Sequence, residues 1–334
     1  MGNQVWTTID FDRTGFQSDF ARVPWSSDSS AYGWIPVPML CFNGGDGPTV
    51  LLTAGTHGDE YEGQILLRRL VQTLAETQVR GRIIMLPALN RPAVLAGRRT
   101  SPLDGGNLNR LFPGKGDAGP SAMIAQYVTE VLFPLSDYAI DLHSGGSSLD
   151  YLPVAFAHRG RSAEQSQRLD RLLTSFSAPN TLLTDGRGGG GETTLYACAS
   201  AHGVAAMTTE LGGGPGLSCE GMAIGEAGLR RVLRDLGIAP GLDAPPQEET
   251  RHMYMLPPAT TIFARTDGLF EPKVRVGQEV HAGEVAGYLH GFEDLTRAPV
   301  TLHFETGGIV IFRRFPVLTA AGDALAGLAL PVDS

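Results

Sequence analysis

Pro48-Thr49-Val50-Leu51-Leu52-Thr53-Ala54-Gly55-Thr56-His57-Gly58-Asp59-Glu60 reads as a buried strand running straight into a polar turn. Val50, Leu51, Leu52 and Ala54 lack the polar alternation of a strand that faces water on one side. Helical spacing takes over at Tyr61 and runs to Thr77 through Ile65, Leu66, Leu70 and Leu74. A strand that turns directly into a helix brings His57 and Glu60 close together.

The same grammar repeats on either side. Gly81 to Pro87 is a second strand, and Met123 to Leu135 a helix. Tyr138 to Leu142 is a third buried strand, ending at His143. Residues 164–176 are helical, and Ala205 to Thr209 is a further strand, ending at Glu210 before three glycines. Ala223 to Leu236 closes the series as a helix. Alternating strands and helices define an α/β fold with a parallel or mixed sheet flanked by helices. Sites in such sheets cluster beyond the carboxyl ends of strands, where His57, His143 and Glu210 all fall. Ahead of this core, residues 1–47 hold short strands such as Trp34 to Leu40. Residues 88–120, rich in Gly, Pro, Asn and Arg, form a long loop of the kind that carries function.

Residues 237–250 read as a linker, and the texture beyond them changes to short strands and turns. The expected division is a catalytic domain over 1–240 and a smaller all-β domain over 251–334. Phe270 to Val280 has the rhythm of a lipoyl-like sandwich. Its one lysine, Lys273, lacks the hairpin-tip context of a carrier lysine.

Bulk properties exclude several classes. The 334 residues carry a formal net charge of -9, and the 26 lysines and arginines are dispersed. No basic stripe offers itself to nucleic acid. No apolar run approaches the length of a membrane helix. The three cysteines are far apart, as suits a reducing cytoplasm rather than a disulfide framework. The N-terminus lacks the basic and apolar regions of a signal peptide. A homo-oligomer is compatible with the sequence.

His57, Glu60 and His143 offer two nitrogens and a carboxylate oxygen, proper ligands for one zinc ion per chain. Three protein ligands leave a position for water, the catalytic rather than the structural arrangement. Asp141 precedes His143 by two residues, on the same strand face, where it can support that ligand. In the long loop, Arg110 has the fork that grips a carboxylate, with Asn109 as a neutral donor. Arg99 can polarise a scissile carbonyl, and Arg98 is its rival. Glu210 can carry a proton from water to a leaving amine. Taken singly, each motif has a plainer reading: a surface histidine, a glutamate at a helix N-terminus, an arginine paired with a structural acid, a loop glutamate.

The order of the motifs is more specific than any one of them. Gly55-Thr56-His57-Gly58-Asp59-Glu60, then Asn107-Leu108-Asn109-Arg110, then Asp141-Leu142-His143-Ser144, then Thr209-Glu210-Leu211-Gly212 resembles the succinylglutamate desuccinylase/aspartoacylase family of the zinc carboxypeptidase clan. The resemblance implies a zinc-carboxypeptidase-like mixed sheet with a C-terminal β domain. It implies zinc on His57, Glu60 and His143, and Arg99 at the scissile carbonyl. Asn109 and Arg110 would hold the substrate carboxylate, with Glu210 as general base and then acid. The substrate would be a small N-acyl amino acid. Aspartoacylase-like members carry an arginine upstream of the catalytic glutamate, which reads an acidic substrate side chain. Here Tyr196 to His202 contains none, and Arg187 in the glycine-rich loop is the available substitute.

Pro87-Ala88-Leu89-Asn90, Phe112-Pro113-Gly114 and the run from Asp141 to Asp150 are similar to one subgroup, the Nα-acetyl-L-2,4-diaminobutyrate deacetylases of ectoine degradation. For such a cationic side chain the acids on offer are Asp150 and Glu192. The competing expectations are an N-succinylglutamate or N-acetylaspartate deacylase, a zinc carboxypeptidase, and a binding module that has lost the chemistry.

Overall fold

A computed structural model describes residues 2–184, 191–214, 216–293 and 296–332. Arg187 and most of the glycine run at 188–191 lie outside them. The strands are β1 (Gly15–Pro24), β2 (Trp34–Asn43), β3 (Thr49–Ala54), β4 (Arg82–Leu86), β5 (Tyr138–His143), β6 (Leu149–Tyr151), β7 (Val154–His158), β8 (Asn180–Thr184), β9 (Ala205–Glu210) and β10 (Arg251–Met255). The C-terminal region adds β11 (Ile262–Phe263), β12 (Gly268–Pro272), β13 (Glu279–Val280), β14 (Val285–His290), β15 (Val300–His303), β16 (Gly308–Arg314), β17 (Leu318–Thr319) and β18 (Ala324–Pro331). The helices are α1 (Tyr61–Leu74), α2 (Arg91–Ala96), α3 (Pro120–Tyr127), α4 (Ala163–Phe176), α5 (Leu195–Ala201) and α6 (Cys219–Asp235).

Among the described residues, one large mixed sheet runs β1-β2-β4-β3-β5-β9-β7-β8-β10-β18-β16-β13, and a separate antiparallel sheet runs β15-β14-β12-β17. The centre is parallel: β4, β3, β5 and β9 lie side by side in one direction. Their residues alternate between two cores, as the two-residue period of a strand requires. Val50, Leu52, Ile83, Met85, Ile140 and Met207 face one cluster, with Leu66, Leu70, Leu172 and Val232 of α1, α4 and α6. Leu51, Ile84, Leu86, Ala139 and Ala206 face the other, with Ile124 and Cys198 of α3 and α5. Helices on both faces explain why these strands read as unbroken apolar runs.

Three differences from the sequence reading have physical causes. The helix expected over Met123 to Leu135 is α3 followed by a five-residue π turn and a 3-10 turn, where Pro134 cannot donate to the ladder. The loop at 88–120 contains α2 and a 3-10 turn at Leu108–Arg110. The stretch 237–250 begins inside the core, because Ile238, Ala239 and Leu242 are buried against the α1/α4/α6 cluster.

Arg231 of α6 fastens that stretch. It is 3% exposed and spends its guanidinium on main-chain oxygens. Nη2 donates to the carbonyls of Phe176 at 2.6 Å and Ser177 at 3.2 Å, Nε to that of Ser175, and Nη1 to that of Pro246. The carbonyls of Ser175, Phe176 and Ser177 close α4 and have no partner within that helix, whereas Pro246 belongs to the following stretch. Burial outweighs the opposing charge of Glu248 and, with the nearby Arg234, leaves the guanidinium pKa below the ordinary arginine value. Arg231→Met keeps the bulk and removes the donors. It is expected to cost about 3 kcal/mol in urea unfolding, because charged hydrogen bonds to buried acceptors are lost.

Candidate active site

The strand register places the site. Ala54 of β3 lies beside Leu142 of β5, and His143 beside Glu210 of β9. Three strand ends therefore open onto one crevice. The turn after β3 packs against α2 so closely that a Cβ on Gly58 would sit 2.0 Å from the carbonyl oxygen of Ala93. Only glycine fits there, and the fit holds His57 and Glu60 in place. Glu60 stands at the N-cap of α1 but makes no capping bond, because its carboxylate turns towards the histidines.

His57, Glu60 and His143 are all buried, and one ligand atom from each lies within 4.8 Å of the others. His57 Nδ1 is 2.7 Å from Glu60 Oε1, and His143 Nδ1 is 2.7 Å from Glu60 Oε2. The outer nitrogens are occupied. His57 Nε2 is 3.0 Å from Asn107 Oδ1, and His143 Nε2 is 2.6 Å from Asp141 Oδ2. Both acceptors favour a proton on Nε2, which leaves the Nδ1 lone pairs directed inward. Asp141 is itself fixed through its other oxygen, by the hydroxyls of Thr53 at 2.7 Å and Thr56 at 2.9 Å. Two imidazole nitrogens and a carboxylate, each backed by a second hydrogen bond, fit a catalytic zinc ion.

The electrostatics agree with that donor set. Burial pushes the Glu60 carboxyl up, but the charges and hydrogen bonds of His57 and His143 outweigh it and hold the group well below the usual carboxylate range. Burial opposes a proton on His143, yet Asp141 and Glu60 together raise it well above the ordinary histidine value.

The other expected residues gather around it. Arg99 Nη1 is 3.3 Å from His57 Nδ1 and 3.4 Å from Glu60 Oε1. Arg98 contributes its main chain instead, accepting a bond from the Gly58 N–H at 2.8 Å. Arg110 has no carboxylate partner among the described residues, and its Nη1 donates to the Asn109 carbonyl at 2.7 Å. Burial, then the neighbouring Arg99, leaves its guanidinium below the ordinary arginine value. Asn109 accepts the Leu195 N–H at 2.9 Å through Oδ1, which anchors α5 and frees its Nδ2. Glu210 has one oxygen, Oε2, enclosed and without a hydrogen bond among the described residues. Burial, then the negative charge of Glu60, pushes its carboxyl up to about 8.

Several neighbours escaped the sequence reading. Asn107 stands inside the Asn-x-Asn-Arg motif, which signals its loop but not its role as the His57 partner. Thr53 and Thr56 are hydroxyls at the end of an apolar strand, a signal visible in retrospect. Tyr196 stacks on His158 at 4.8 Å and feels the charges of Arg110 and Glu210. His202 is structural, its Nδ1 2.8 Å from the Cys198 carbonyl at the end of α5. The two acids offered for a cationic substrate are both paired: Asp150 with Arg313 at 3.2 Å, and Glu192 with Arg161 at 2.8 Å.

A mixed α/β sheet with a buried His-Glu-His cluster at its strand ends, an enclosed glutamate beside it and two arginines facing it defines a hydrolase-type site. Residues 46–236 match the succinylglutamate desuccinylase/aspartoacylase catalytic domain. The chain belongs to that family, a family of deacylases. It is 39% identical over 333 residues to the N-alpha-acetyl-L-2,4-diaminobutyric acid deacetylase of Halomonas elongata, covering 99% of this chain and 96% of that protein. The product-bound ectoine utilization protein EutE (DoeB) of Ruegeria pomeroyi is similar at 37% identity and a TM-score of 0.91, over 99% of each chain. A succinylglutamate desuccinylase/aspartoacylase from Rhodobacter sphaeroides is similar at 37% identity and a TM-score of 0.90, over 98% of this chain and 100% of that one. No helix among the described residues is long and apolar enough to cross a membrane.

Two outcomes follow for the site itself. Asp141→Asn keeps the shape but removes the charge behind His143, and zinc affinity measured by competition with a chelator is expected to fall about 10- to 100-fold. The second concerns the metal-free protein. A carboxyl whose folded pKa is raised binds its proton more tightly when folded. The stability from protonated Glu210 is therefore present below the ordinary carboxylate range and lost as pH rises through about 8. Metal-free protein should unfold more easily as pH rises across that window, and Glu210→Gln should flatten the slope in urea titrations.

Proposed function

We propose that the chain is a zinc-dependent deacylase that hydrolyses the amide of Nα-acetyl-L-2,4-diaminobutyrate, releasing acetate and the free diamine. The observation that carries the reaction is Glu210, an enclosed carboxyl with an unpartnered oxygen beside the buried His57, Glu60 and His143. A binding module has no use for such a group at that place. Similarity along nearly the whole length to the Halomonas elongata deacetylase supports the substrate. So does α5, which carries no arginine to read an acidic side chain.

His57, Glu60 and His143 would hold the zinc ion, which when bound supplies Lewis acidity and lowers the pKa of water to around 7. Arg110 receives the substrate α-carboxylate, as expected of a guanidinium without an acid of its own. Asn109 adds its Nδ2 donor, since Oδ1 is engaged with Leu195. Arg99 donates to the scissile carbonyl oxygen as negative charge gathers there. Glu210 takes the proton from the attacking water and passes it to the amine nitrogen as the C–N bond breaks. A pKa near neutrality suits a group that must accept and then release a proton.

In this reading residues 1–240 carry the chemistry and residues 251–334 form a wall of the cleft. Three free thiols, two of them buried, support a reducing cytoplasm as the setting.

Zinc content and acetate release should be measured together for wild type and Glu210→Ala. Bound zinc in both, with release from Nα-acetyl-L-2,4-diaminobutyrate slowed about 100- to 10,000-fold in the variant, is expected. Zinc with no release by wild type would reject the substrate. Absence of zinc from the folded wild type would reject the metal centre.

A further inference from the structure

Leu108–Arg110 is a single 3-10 turn, and Asn107 is its N-cap. The Asn107 carbonyl accepts the Arg110 N–H at 2.9 Å, the bond that closes the turn. The side chain of the same residue reaches the buried cluster, where Oδ1 lies 3.0 Å from His57 Nε2. One residue therefore touches a metal-ligand candidate with its side chain and holds the backbone of Arg110 with its main chain. A 3-10 turn rises about 2 Å per residue, so the two anchor points stand about 6 Å apart along its axis.

The surroundings of the turn are pinned. Leu108 is fully buried in the cluster that holds Phe112 and Ile124. Asn109 Oδ1 accepts the Leu195 N–H at 2.9 Å, which ties the turn to α5. Upstream, the Ser101 N–H donates to the Gly106 carbonyl at 3.0 Å. Asp104 accepts the Ser121 N–H at 2.8 Å and the Ser121 hydroxyl at 2.9 Å, which ties the approach to α3. Arg110 is exposed, and its Nη1 bond to the Asn109 carbonyl steers the guanidinium by the turn that carries it. A displacement of Asn107 is not absorbed by such a loop and passes to Arg110.

The other histidine is supported differently. Asp141, behind His143, stands on the same strand and is held by Thr53 and Thr56 at the end of β3. It makes no hydrogen bond to the 108–110 turn among the described residues. The support of His143 thus belongs to the sheet, and that of His57 belongs to the loop that presents Arg110. A support borne by the sheet serves the histidine alone. A support borne by a binding loop links the histidine to whatever that loop binds.

We propose that Asn107 is a positioning residue that couples the two halves of the site: a zinc ion on His57 and a carboxylate on Arg110 each tighten the binding of the other through it. This rests on the deacylase reading above, in which His57 is a ligand and Arg110 receives the substrate carboxylate. Imidazole is one rigid ring, so holding it at Nδ1 fixes the direction of its Nε2–H, and with that the Asn107 amide and the turn. A carboxylate on Arg110 fixes the same turn from its other end. Linkage makes the effect equal in both directions. The metal-free protein therefore offers its substrate a looser grip than the loaded one.

Zinc affinity is measured by chelator competition with and without saturating 4-aminobutyrate, which has the carboxylate but neither the α-nitrogen nor the acyl group of the substrate. In wild type the carboxylate is expected to tighten zinc about 5- to 20-fold, and zinc to tighten 4-aminobutyrate by the same factor in calorimetry. In Asn107→Ala the factor should drop below about twofold. Asn107→Asp keeps an acceptor oxygen and should keep the factor. Because the factor is a ratio taken within one protein, a general loss of stability or of zinc affinity cancels from it. Arg110→Met should abolish it, which places the carboxylate on the guanidinium. An equal factor in wild type and Asn107→Ala overturns the proposal. So does a factor that survives in Arg110→Met, which would put the carboxylate on the metal, and so does its absence from wild type. Failure of the functional reading shows separately: wild type that takes up no zinc rejects the metal centre and the coupling with it, whereas normal uptake with an unaltered factor in Asn107→Ala rejects the coupling alone.

Discussion

A carboxylate almost wholly out of water governs this molecule. Glu60 is 3% exposed, and a bare charge at that depth would give way to the neutral acid. It remains charged because two histidines face its two oxygens. Those histidines keep their orientation because Asn107 and Asp141 hold their far nitrogens, and Asp141 is held by Thr53 and Thr56. The chain of dependence runs from the Glu60 oxygens to the ends of β3 and β5. The sheet exists in this register so that these groups can meet. A cation bound among them would complete the balance of charge.

The α/β core was legible because fully covered strands leave a plain trace. Val50 to Ala54, Tyr138 to His143 and Ala205 to Glu210 are short apolar runs that stop at a glycine or a polar ligand, and all three appear within a residue of their expected ends. The meeting of His57, Glu60 and His143 was legible for the same reason, since strand ends converge. Arg98 and Arg99 were indistinguishable in sequence because adjacent residues on a loop have no fixed direction. The structure turns the Arg99 side chain inward and spends the Arg98 carbonyl on Gly58.

What was hidden depends on partners far away in the chain. Asp150 looked available for a cationic substrate, but its partner Arg313 lies 163 positions later. No local pattern announces such a pairing. β1 was hidden differently, because Gly15 to Pro24 mixes polar and apolar residues in an outer strand. The stretch 237–250 has a linker's composition, and only Arg231 and the core reveal that its first residues are packed.

The joint between β8 and β10 has a consequence for how the protein is made. Arg251 to Met253 lie parallel to Asn180 to Leu182, and β18 then covers the far side of β10. During synthesis the nascent chain therefore exposes β8 as an open edge until residues 251–255 have left the ribosome. The next edge stays open until β18 emerges. Open edges invite pairing with other chains. A ribosome that stalls between the two segments releases a polypeptide holding His57, Glu60, His143 and both arginines, yet with a sheet that can still recruit a stranger's strand.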